Sequence, residues 1–152
     1  MKRAIAVALL AGALLAPASS SAAGVALIGP WITPEAEIHW STPCPDQSAR
    51  PAACAMRAER QIYISAPRRA MAAPFILEHE RGHVFDWWNL DELERAAIMR
   101  RAGWSWWRVE RFANEYAACR LSTGERIAIR ERGWDVVREP IPALCRLIAA
   151  SA

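Results

Sequence analysis

Apolar residues recur along this chain in three rhythms, and each rhythm predicts a different element. From Ala4 to Ala16 they run almost unbroken behind Lys2 and Arg3. In Gln61-Ile62-Tyr63-Ile64-Ser65 they alternate with polar residues, the period of a half-buried strand. From Pro74 onward they return at helical spacing: Ile76, His79, His83 and Asp86 or Trp87 share one face, while Phe75, Leu77, Val84, Phe85 and Trp88 supply apolar surface on other sides. Pro74 suits a first helical turn, and no further proline interrupts the run. The pattern predicts a helix buried nearly all round. Gly82 within it costs roughly 1 kcal/mol relative to Ala, so a second backbone is expected to pass close by.

Weaker signals fill in the rest. Val25–Ile28 and Glu37–Trp40 read as short strands separated by Pro30 and Pro34, and residues 41–58 as a loop rich in Pro, Ala and Cys. Asp91 with Glu94 makes a capping box for a helix reaching about Arg101, which Gly103 ends. Ser105 is a cap candidate for a helix from Trp106 to Leu121, broken by Ser122-Thr123-Gly124. Residues 125–139 give no clear period, and a last helix follows Pro142 and contains Cys145. The expected class is α+β, mostly helical, with a small sheet beside the Pro74 helix.

The opening stretch changes the account of composition. A basic start, a short apolar run and the small residues up to Ala23 read as a secretory signal peptide, 1–23, leaving 24–152 as one domain. The apolar run is too short to span a membrane. Removing Lys2 and Arg3 takes the 19 basic residues to 17 against 16 acidic ones, so the remaining domain is nearly neutral. Nothing there points to nucleic acid, or to a membrane once the signal is cleaved. The expected location is secreted, periplasmic or extracellular. Four cysteines in an exported chain suggest disulfides. Of three possible pairings, Cys44–Cys54 as a local staple and Cys119–Cys145 as a tie between late helices are favoured. Eight tryptophans, five of them at 87, 88, 104, 106 and 107, read chiefly as core and cleft-wall packing.

The chemistry concentrates in His79-Glu80-Arg81-Gly82-His83, an H-E-x-x-H pattern. On a helix its two imidazoles, four residues apart, can reach one ion, and Glu80 stands beside that ion as a base for an activated water. These are the core parts of a zinc peptidase. Catalytic zinc takes a third protein ligand, for which Glu110, Glu115, Asp86 and His39 are candidates. Glu110 and Asn114 share a helix face, and Glu115 leaves it about 140° away.

His79-Glu80-Arg81-Gly82-His83-Val84-Phe85-Asp86 followed by Glu110-Arg111-Phe112-Ala113-Asn114 resembles the H-E-x-G-H-x-x-D and E-x-F-A-E motifs of gluzincin-type zinc metallopeptidases. That group includes small secreted bacterial zincins and the anthrax lethal factor catalytic domain. The resemblance spans about forty residues, Phe75 to Cys119. It implies a compact minimal zincin-like domain binding Zn2+ through His79, His83 and Glu110, with Glu80 as general base. It also implies Asp86 and Asn114 as supporting residues around the ligands; Asn114 stands where the family has a second Glu. A tyrosine or histidine for the oxyanion is not evident, since Gly103 occupies the corresponding position and neither Tyr63 nor Tyr116 is singled out. The expected activity is hydrolysis of a peptide or protein substrate, with a small sheet holding Tyr63 beside the cleft. The alternative is a non-enzymatic secreted binding protein on the same scaffold.

Overall fold

The computed structural model describes residues 35–45, 51–137 and 139–149. The expected signal peptide and the strand at Val25–Ile28 lie outside them. The described residues form an α+β fold, as the periodicities predict: three strands, β1 (Glu37–Trp40), β2 (Ala53–Met56) and β3 (Gln61–Ile64), and five helices, α1 (Ala73–Asn89), α2 (Glu92–Ala102), α3 (Val109–Arg120), α4 (Thr123–Arg130) and α5 (Pro142–Ala149).

The sheet order is β1-β3-β2, with β1 parallel and β2 antiparallel to β3. The alternation in β3 decides its faces. Ile62 and Ile64 are fully buried against α1. Tyr63 points the other way, stacked on His39 of β1 at 4.6 Å, with its hydroxyl donating to Gln61 Oε1 at 2.6 Å. Tyr63 therefore stands on the opposite face from the core, not beside a cleft, because a period of two cannot bring Ile62, Tyr63 and Ile64 to one face. The segment read as a loop contains β2, whose Ala-Cys-Ala-Met sequence carries no β-branched residue to announce a strand. Pairing with β3 makes it one, and Cys44–Cys54 ties it to the turn after β1.

The caps account for most helix ends. Pro74 lies in the first turn of α1. Asp91 and Glu94 form the expected capping box of α2, and Gly103 closes that helix in the left-handed conformation at φ 66°. Two boundaries differ from the sequence reading. Helix α3 starts at Val109, not near Ser105, because Trp104 and Trp107 turn inward to pack with Phe112, which holds residues 104–108 out of the helix. Ser122 does not simply break a helix; with Glu125 it caps α4 in a second capping box.

Among the described elements, α1 and α3 pack against each other most extensively. A Cβ added at Gly82 would sit 2.8 Å from Ala113 Cα and 3.1 Å from Tyr116 Cβ. Glycine is thus required by space. On its other side α3 is held to α5 by Cys119–Cys145 and by the Glu115 carboxylate, which accepts the Ile141 backbone N–H at 3.1 Å. Gly82→Ala should destabilise the protein by about 1–3 kcal/mol despite alanine's better helix propensity, because backbone must move to admit the methyl group. Urea unfolding of the two proteins measures the difference, and an unchanged midpoint would refute the close contact.

Candidate metal centre

One turn of α1 separates His79 from His83, and the first turn of α3 brings Glu110 opposite them. The two Nε2 atoms are 3.1 Å apart. Glu110 Oε2 lies 3.3 Å from His79 Nε2, and Glu110 Oε1 lies 3.4 Å from His83 Nε2. Ligands about 2.0–2.2 Å from a tetrahedral ion stand roughly 3.3–3.5 Å from one another, and the three side chains converge to near that spacing. The group His79, His83 and Glu110 can hold a metal ion.

The surroundings prepare the imidazoles for this role. Asn114 Oδ1 is 2.9 Å from His79 Nδ1. An amide oxygen only accepts, so Nδ1 carries the hydrogen and the Nε2 lone pair is left facing the group. Burial, and next the neighbouring charge of His79, hold His83 below the usual imidazole range, partly opposed by Glu110 and Asp86. The neutral form that results is the one that binds metals. Trp87 stacks on the His83 ring at 5.9 Å. Asp86 is buried, but its carboxylate accepts from Arg95 Nε at 2.8 Å instead of meeting a ligand histidine. Arg95 comes from α2 and also bonds the Asp86 carbonyl oxygen, so this pair fixes the end of α1 to the next helix.

Glu80 is buried in the same cleft and is not one of the three converging residues. Burial, and then the nearby Glu110 charge, push its carboxyl up from the ordinary range to about 7, against a backbone hydrogen bond from Ala55. The cleft has a volume of about 580 Å³. β2, an edge strand of the sheet, contributes Ala53, Cys54 and Ala55 to its lining, and Trp134 and Asp135 contribute as well. Sequence reasoning placed β3 there instead and passed over Trp134 and Asp135, which lie in a stretch with no periodic signal.

The other ligand candidates are engaged elsewhere. Glu115 is buried at the α5 junction, where desolvation raises its pKa. His39 stands in the sheet, 3.6 Å from Glu37. Tyr116 packs on Phe85 within the core at 5.3 Å. Glu110 and Glu115 are therefore expected to separate cleanly. Glu110→Ala should weaken zinc binding by at least ~10²-fold, since a lost ligand outweighs a lost supporting residue, and should leave the melting temperature of the metal-free protein nearly unchanged. Glu115→Ala should lower that temperature and spare the affinity. Titration with zinc and thermal unfolding of both variants check this, and equal affinities would remove Glu110 from the site. Against this geometry, neither a family model, nor a curated protein, nor a solved structure matches the chain.

Proposed function

We propose that the chain is a secreted zinc-dependent peptidase in which His79, His83 and Glu110 hold the ion and Glu80 is the general base. The observation that carries this reading is the division of labour inside one short helical segment. Two of its side chains converge with Glu110, while the carboxylate between them is buried in the same cleft and is left out of the group. A purely structural zinc site is closed by four protein ligands and needs no base. Here, among the described residues, three converge, and they line a cleft large enough for an extended peptide segment.

Zinc bound there would supply Lewis acidity, lowering the pKa of a water to about 7 and polarising the substrate carbonyl. The remaining work falls to the chain itself. Glu80 accepts a proton from the attacking water at its carboxylate and returns it to the leaving amide nitrogen. Its burial suits this role, because a carboxylate with a pKa near 7 is well matched to proton transfer at neutral pH. Asn114 orients His79 through Nδ1, and Trp87 shields His83 from solvent on one side. The edge backbone of β2 gives an extended substrate a strand to lie against. The two disulfides agree with an oxidising compartment, and no described helix is long and apolar enough to cross a membrane.

Glu80→Gln preserves shape and removes the base. It should retain stoichiometric zinc and lose hydrolysis by at least ~10²-fold. Metal analysis together with cleavage of a diverse peptide library reads both quantities. Full activity in the variant would end the general-base assignment. A zinc-loaded parent that cleaves no member of the library would mark the chain as a binding protein.

A further inference from the structure

Behind Trp134 lies a second cavity, also of about 580 Å³, that the chemistry above leaves unused. Ala52, Ile76 and Trp134 belong to the walls of both cavities, so the second continues the first. Small and apolar residues such as Ala66, Ala72, Met71 and Ile129 line it, and Arg132 is the one ionisable side chain among the described residues of its wall. Among the described residues Arg132 makes no ion pair.

The short turn from Arg132 to Asp135 sets the polarity of the groove. Gly133 adopts φ 88°, which reverses the chain at little cost. The turn places Asp135 in the wall of the metal cleft, Arg132 in the wall of the second cavity, and the Trp134 indole between them. An anion thus borders the first compartment and a cation the second. Ile76, one helical turn before His79 on α1, lines both cavities, so the second cavity adjoins the metal cleft.

We propose that the cavity behind Trp134 is the subsite for the carboxy-terminal residue of a peptide, taking an apolar side chain between Trp134 and Ile129 and the free α-carboxylate on Arg132. A peptide as the ligand rests on the peptidase reading; the binding preference does not require hydrolysis. Apolar walls select the side chain, and a guanidinium selects a carboxylate over the neutral amide by bidentate, charge-assisted hydrogen bonds.

The test is calorimetric titration of the zinc-loaded protein with N-acetyl-phenylalanine and with N-acetyl-phenylalaninamide. The acid should bind about 3- to 5-fold more tightly than the amide, as an ion pair on an exposed guanidinium allows. Arg132→Gln should abolish that preference and leave the affinity for the amide unchanged, and Arg132→Lys should restore part of it. Arg132 is exposed, so these variants should fold as the parent does, which thermal unfolding verifies. Equal binding of acid and amide overturns the proposal. So does an acid preference that survives Arg132→Gln, which would put the carboxylate elsewhere, the metal included. Arg132-dependent acid binding in a protein that hydrolyses no peptide would support the subsite while ending the peptidase reading. Peptide cleavage without that binding preference would do the reverse.

Discussion

The contact between Gly82 and Ala113 is the constraint on which the candidate site depends. Two helices meet here closely enough that a single methyl group on α1 would strike the backbone of α3. That approach carries the first turn of α3 toward α1 and sets the Glu110 carboxylate 3.3–3.4 Å from two imidazole nitrogens. The glycine that makes this stretch of α1 a poorer helix is the residue that lets Glu110 approach the two histidines. Stability along one helix is given up for the geometry between two.

Helix α3 is held from both sides, and its two glutamates divide the work. Glu110 looks out into the cleft. Five residues on, and about 140° round the helix, Glu115 is buried and caps the approach to α5 through the Ile141 N–H. Cys119–Cys145 adds a covalent tie along the same face. Pressed against Gly82 and anchored to α5, α3 has little freedom to carry Glu110 away. Rigid support of this kind keeps His79, His83 and Glu110 close to one another.

The electrostatics of the cleft follow from what is buried and what is exposed. Desolvation drives His83 toward its neutral form and Glu80 toward its protonated form, so burial suppresses the charge of both groups in the cleft. Further along, Trp134 divides the groove into two compartments bordered by opposite charges.

Much of this was legible in order along the chain. The i, i+4 histidines, the Asp91 capping box, the Gly103 helix end, the alternation of β3 and the helical character around Glu110 are local signals, written in residues a few positions apart. Glu110 itself came from resemblance, since spacing alone left Glu115, Asp86 and His39 open. The remainder depended on partners distant in sequence. β2 is a strand only because β3 lies beside it, and its alanines carry no strand signal. Tyr63 faces away from the cleft because Ile62 and Ile64 take the core side. Asp86 answers to Arg95, a residue of the next helix. Trp104 and Trp107 delay the start of α3 because the core takes their rings. The sequence by itself determined that two imidazoles one helical turn apart could share a metal ion, for that is chemistry carried by a single helical turn. Only the tertiary structure decided which glutamate closes the group, which strand walls the cleft and what lies behind Trp134, because those depend on how closely separate elements pack.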